Sequence, residues 1–149
     1  MIIAFDGNVF VGKTTLCKMY ARENKGQVIN EHSYFIDLLK KNNSVQTEFS
    51  SHYRYLLADA LRMKVINGKK IFLDRSFVST SAHIYALYQT KEWDFREEHL
   101  FYLEKFLQEQ SIIVPDVFIF VLCEHDIAQE RFLQDHSYIK PKNTAPTDS

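Results

Sequence analysis

Gly7-Asn8-Val9-Phe10-Val11-Gly12-Lys13-Thr14 is the stretch of this chain best equipped for chemistry. It fits the pattern G-x-x-x-x-G-K-S/T in full, and Thr15 follows it. Each fixed position has a physical reason. Gly7 lets the backbone leave a strand in a tight turn, and Gly12 lets it approach an anion closely. Successive N–H groups then face one concavity at the positive end of the following helix. Lys13 supplies a point charge that reaches the β- and γ-phosphates of a nucleoside triphosphate. The Thr14 hydroxyl is a hard oxygen suited to Mg²⁺. Gly7 to Thr15 is therefore the expected triphosphate-binding segment. Phe10 and Val11 are bulky for such a loop, and the cradle survives if their side chains point away from the anion.

Three further residues carry chemistry if a strand delivers them to the same place. Asp74 can support Mg²⁺ through water or assist Thr14, and Arg75 beside it can span a phosphate with two N–H groups. The competing account is an Asp74–Arg75 ion pair, or a helix cap by Ser76 or Ser79. Glu31 can act as a general base toward an attacking hydroxyl. Alternatively it is a solvated turn residue.

The elements that would position these groups are legible in the hydrophobic pattern. Ile2, Ile3, Ala4 and Phe5 are a continuous apolar run, the mark of a strand buried on both faces. The period turns helical from Lys13 to about Glu23, with Leu16, Met19 and Tyr20 recurring, and Gly26 stops it. A short strand is predicted over 27–30, ending at Glu31. A short helix is predicted over 34–41, before the polar break "KNNS". Tyr53, Leu56, Leu57, Ala60, Leu61 and Val65 keep helical spacing up to Asn67-Gly68. "KIFLD" at 70–74 reads as a third buried strand, and helices follow over 79–88 and 95–108. In the latter, Leu100, Leu103, Phe106 and Leu107 share a side. "DVFIFVLC" after Pro115 is the most apolar run and predicts a fourth strand. "DIAQERFLQ" predicts a last helix.

Strands alternating with helices imply a parallel sheet flanked by helices on both faces. The expected fold is thus an α/β three-layer sandwich with a central parallel sheet of about four strands. Ligands of such sheets sit beyond the carboxyl ends of the strands. Gly7, Glu31, Asp74 and Arg75 all fall there. One domain over residues 1–139 is expected, with a polar tail over 140–149.

The totals exclude several classes. At 149 residues, 46% apolar and 25% charged, the chain suits a single globular domain. A net charge of -1 gives no global basic field, so neither a nucleic-acid polymer nor a membrane is an expected partner. The lone thiols Cys17 and Cys123 and an apolar start of five residues fit a reducing, cytoplasmic setting. His32, His52, His83, His99, His125 and His136 have no tight ligand spacing, which argues against zinc. Ser76, Ser79 and Ser81 lack a G-x-S-x-G elbow, and no N-K-x-D or D-x-x-G supports a GTPase.

The loop, the strand ending at Glu31 and "IFLDRSFVSTSAHIYA" together resemble the deoxynucleoside kinase and thymidylate kinase group of P-loop kinases. Gly7-Asn8 is similar to the G-N opening of deoxynucleoside kinase loops. Asp74-Arg75-Ser76 is similar to their E-R-S and to the D-R-Y of thymidylate kinases. Ser79 and Ala82 fall where the latter have D-R-Y-x-x-S-x-x-A. The resemblance spans about residues 1–133 in element order.

What the resemblance implies is transfer of the γ-phosphoryl of ATP to a deoxynucleoside or a nucleoside monophosphate. On that basis Lys13 and Thr14 hold ATP and Mg²⁺, and Glu31 activates a 5′-hydroxyl. Asp74 acts near the metal, and Arg75 near the acceptor oxygen or the transferring phosphate. Tyr34, Phe35, Tyr53 and Tyr55 are candidates for stacking on a base, with ordinary core packing as the alternative. Arg54 or Arg62 would touch an acceptor phosphate, or would be solvated helix charges. The group also carries a lid with several arginines after the fourth strand's helix. Here Arg131 lies on that helix, Lys140 and Lys142 follow, and the chain stops where relatives continue through a further helix and strand. A lid-deficient nucleotide-binding module with little or no transferase activity is therefore the alternative. The helix over 95–108 has enough apolar surface to serve a homodimer.

Overall fold

The computed structural model describes residues 1–8, 11–33, 35 and 48–134, with only the backbone of 48–52. Val9, Phe10, Tyr34, most of the helix anticipated over 34–41, the "KNNS" break, His136, Lys140, Lys142 and the tail lie outside the described residues.

Four strands and five helices are described. The strands are β1 (Ile2–Asp6), β2 (Gln27–Ile29), β3 (Ile71–Asp74) and β4 (Val117–Phe120). The helices are α1 (Lys13–Glu23), α2 (Glu48–Lys64), α3 (Phe77–Gln89), α4 (Arg96–Gln108) and α5 (His125–Gln134). All strands are parallel, in the order β2-β3-β1-β4. Phe5 of β1 sits opposite both Asp74 of β3 and Ile119 of β4. From β1 the chain runs to the β2 side of the sheet, and from β3 it crosses to β4 on the other side. The switch point thus falls between β1 and β3, where a crevice opens beyond the strand ends.

The period-2 alternation of the strands divides the core into two layers. Phe5, Phe72 and Val121 pack with Val11, Cys17 and Ala21 beneath α1. Ala4, Ile29, Ile71 and Leu73 pack with Phe35 and Ala58 beneath α2. A third cluster, Leu56, Leu103 and Ile112, joins α2 to α4. Every residue of β3 is buried, as its continuous apolar run requires.

Two expectations are corrected by this packing. The buried stripe of α1 is Lys13, Cys17 and Ala21, while Met19 and Tyr20 are exposed, Tyr20 still touching Phe5 at a 5.7 Å ring separation. Four-residue spacing from Lys13 turns the loop's lysine inward at the head of that stripe. The edge strand β4, paired among the described residues with β1 alone, leaves Val117 and Phe120 exposed. Only Phe118 and Ile119 reach the two core layers. Likewise Leu100 of α4 is exposed, while Leu103, Phe106 and Leu107 face the third cluster.

Candidate functional site

The phosphate loop begins where β1 ends. Gly7 has φ 144, a backbone shape that only glycine adopts readily, and a Cβ there would stand 2.5 Å from the Val121 carbonyl oxygen. Gly12, at φ 95, is the residue before α1, so the first amides of that helix face the loop's concavity. Val11 is buried in the α1-side core, which takes its bulk away from the concavity. Lys13 is 5% exposed, and its ammonium donates to the Asn8 carbonyl oxygen, folding back across the loop. Burial, then the nearby Arg75 guanidinium, pulls its pKa down to about 8. Arg131 reaches the same place from α5, with Nη1 3.8 Å from where a Cβ on Gly12 would lie.

Beyond β3, Thr14 Oγ1 donates to Asp74 Oδ2 at 2.6 Å. The other oxygen of that carboxylate, Oδ1, is buried and has no hydrogen-bond partner among the described residues. An unsatisfied buried carboxylate oxygen beside a threonine hydroxyl and a phosphate loop suits a hard cation. The donor set therefore fits Mg²⁺, which takes one or two protein oxygens, its own waters and ligand phosphates.

Arg75 follows at φ 69, a left-handed conformation that costs a non-glycine residue about 1–3 kcal/mol and is held only by its surroundings. Its N–H donates to the Phe5 carbonyl oxygen at 3.0 Å. Its Nε lies 3.4 Å from Glu31 Oε2, an ion pair too loose to count as a hydrogen bond. Glu31 also accepts from Ser33 Oγ at 2.9 Å. Ser76 caps α3, accepting from Val78 N at 3.2 Å, as the cap account of this corner expects.

A cavity of about 290 Å³ opens beside the Glu31–Arg75 pair. His32, Tyr55, Thr80 and His83 help to line it. Thr80 Oγ1 is buried with no hydrogen-bond partner among the described residues. A second cavity runs from Asp6, Gly7 and Asn8 along α3 to Phe120 and shares Arg75, Ser79 and His83 with the first. Phosphate loop, arginine and lined cavity thus form one continuous crevice.

Among the described aromatic candidates, only Tyr55 lines the cavity, with its ring 5.8 Å from that of His32. Tyr53 packs on Tyr102 at 4.8 Å, and Phe35 belongs to the α2-side core. Arg62 is neither a solvated charge nor a phosphate ligand. It is fully buried and donates to the carbonyl oxygens of Asn30, Asp74 and Arg75 at 2.9, 2.8 and 2.7 Å, and to Asp59 Oδ1 at 2.9 Å. It therefore ties the ends of β2 and β3 together from below. Arg54 is buried as well. Asp59 also meets His32 Nε2 at 2.8 Å.

Sequence reasoning missed Asp6, His32, Asp59 and Thr80. Asp6 carried a signal, since a carboxylate ends an otherwise apolar strand directly before the loop. Asp59 and Arg62 are an i,i+3 pair on the same helix, which looks like surface salt-bridge text until the sheet covers it.

No protein-family model matches the sequence, and no curated protein matches it. Solved structures do match. Two are of deoxyadenosine kinase from M. mycoides, one with bound dATP and one with the products dCMP and a flexible dCDP. Each aligns over 91% of this chain and 71% of its own, at 20% identity, with TM-scores of 0.63 and 0.65. The likeness shows that this chain shares the parallel α/β fold of those structures. The likeness agrees with the architecture expected from the loop and from the strand–helix alternation.

Proposed function

We propose that this chain is a magnesium-dependent kinase that transfers the γ-phosphoryl of ATP to the 5′-hydroxyl of a deoxynucleoside. The observation that carries it is the Glu31–Arg75 pair, set over a lined cavity and contiguous with the phosphate loop. Phosphoryl transfer asks little covalent chemistry of a protein. It asks for positioning and for charge placed where charge develops. Gly7 to Thr15 and Lys13 supply the triphosphate cradle, with Arg131 from α5 above Gly12. Thr14 and Asp74 would hold the cation, which would supply neutralising charge to the triphosphate. Glu31 takes the proton of the acceptor hydroxyl, and Arg75 steadies the transferring phosphate.

The acceptor occupies the cavity. Tyr55 offers a ring face to a base, and the buried Thr80 hydroxyl, without a partner among the described residues, offers a polar contact. The carboxylate at Glu31 favours a nucleoside over a monophosphate, because a monophosphate already presents an oxyanion and needs no base. The bound dATP and dCMP of the solved neighbours support a ligand of nucleotide size. The exposed Leu100 and Phe101 of α4 support a second copy of the chain as the partner on that face.

Glu31→Gln separates the roles. Deoxynucleoside phosphorylation falls by about 10²–10⁴, while ATP affinity stays within about twofold. Turnover unchanged by this substitution would remove the base from the mechanism.

A further inference from the structure

We infer that Asp6 is a positioning residue that sets the distance between the triphosphate cradle and Arg75. Its carboxylate is 1% exposed and fully committed. Oδ1 accepts from Ser76 N at 2.9 Å and from Ser79 Oγ at 2.6 Å, and Oδ2 accepts from Ser76 Oγ at 2.7 Å. All three donors belong to the corner and first turn that follow Arg75. The backbone of Asp6 belongs to the other side of the crevice. It leads directly into Gly7, and its carbonyl oxygen accepts from Val121 N at 2.8 Å. The side chain is thus a strut from the last residue of β1, directly before the loop, to the corner that bears the arginine.

The strut explains how Arg75 keeps an unfavourable backbone. Arg75 N is held by Phe5 O, and the next amide, Ser76 N, is held by Asp6 Oδ1. Both peptide groups around the Arg75 Cα are therefore pinned to the last two residues of β1. The left-handed φ of 69 is imposed from outside and aims the side chain toward Glu31 and the crevice. A buried carboxylate is costly unless its hydrogen bonds are complete, and charge-assisted bonds hold geometry more tightly than neutral ones. Packing alone would be served by an apolar residue. Ser79, held from behind by Asp6, lines both cavities, so the strut also fixes the wall they share.

What Arg75 does for a phosphate rests on the proposed function, whereas the strut itself does not. Two readouts keep them apart. The first is the Nε–Hε nuclear magnetic resonance signal of Arg75, assigned by its loss in Arg75→Gln and recorded without ligand. Asp6→Asn is expected to shift and broaden it, and Ser79→Ala to move it less in the same direction. The second is the affinity for magnesium tripolyphosphate, measured by calorimetry in a double-mutant cycle. Asp6→Asn is expected to weaken binding about tenfold in the parent and less than about twofold on the Arg75→Gln background. An Arg75 signal unmoved by Asp6→Asn overturns the inference, as does an equal loss on both backgrounds, which would mark Asp6 as a stability element only. A parent that binds no tripolyphosphate fails the functional proposal, and the Arg75 signal still decides the strut.

Discussion

Lys13 heads the buried stripe of α1, and burial with the Arg75 charge brings its pKa to about 8. The folded protein therefore holds this proton less tightly than the unfolded chain. The buried ammonium costs stability below pH 8, and the cost fades as pH rises from about 8 toward the unfolded value of 10.5. Triphosphate binding has the opposite sign, since bound phosphates favour the ammonium. Affinity for magnesium ATP should fall as pH rises through about 8, with proton uptake on binding near that pH. Calorimetry in buffers of different ionisation enthalpy measures both, and a flat affinity from pH 7 to pH 9 would contradict the assignment. Thr80 offers a prediction with two signs. Its hydroxyl is buried with no partner among the described residues, a state that costs about 1–3 kcal/mol. Thr80→Val should raise stability by about 1 kcal/mol in denaturant titration and lower kcat/KM for the acceptor about tenfold. Gains or losses in both together would show that the hydroxyl does not serve the acceptor.

The elements matter through their ends. β2 and β3 deliver Glu31, Asp74 and Arg75 to one crevice, and Arg62 of α2 holds those ends by three carbonyl oxygens. Arg62→Met should cost about 3–5 kcal/mol, because it leaves those carbonyls without their donor and the Asp59 carboxylate without its arginine. Chemical denaturation measures the loss, and a change under about 1 kcal/mol would deny the clamp. These parts were not equally legible in the sequence. The loop, α1, β3 and the parallel order of strands follow from glycine chemistry and from continuous apolar runs, which are local signals. The burial of Arg62 and the exposure of Val117 and Phe120 are not local. They depend on which strand lies next to which, and β4 carries the text of a central strand at the edge of the sheet. The partners of Asp6 were not legible for a related reason, since Ser76 and Ser79 lie about seventy positions away, and the place of Thr80 is set by a cavity. Tyr53 and Phe35 had the composition of base-stacking residues, but only packing could assign them to the core.

For the whole molecule, the sheet's switch point, two joined cavities and a cation-suited oxygen pair coincide at one edge of the domain. Among the described residues no helix is long and apolar enough to cross a membrane. Leu100 and Phe101 of α4 leave apolar surface exposed. If that face joins two copies, Phe101→Glu should convert a dimer into a monomer by light scattering without changing acceptor KM more than about twofold. A mass unchanged by the substitution would free α4 of that role. The central claim is phosphoryl transfer in the crevice, and incubation with magnesium ATP and a panel of deoxynucleosides and their monophosphates tests it most directly, read by mass spectrometry. The account predicts a deoxynucleoside heavier by one phosphoryl group, formed by the parent and reduced at least about a hundredfold by Lys13→Ala. ATP bound tightly with every acceptor recovered unchanged would contradict it and leave a nucleotide-binding module in its place.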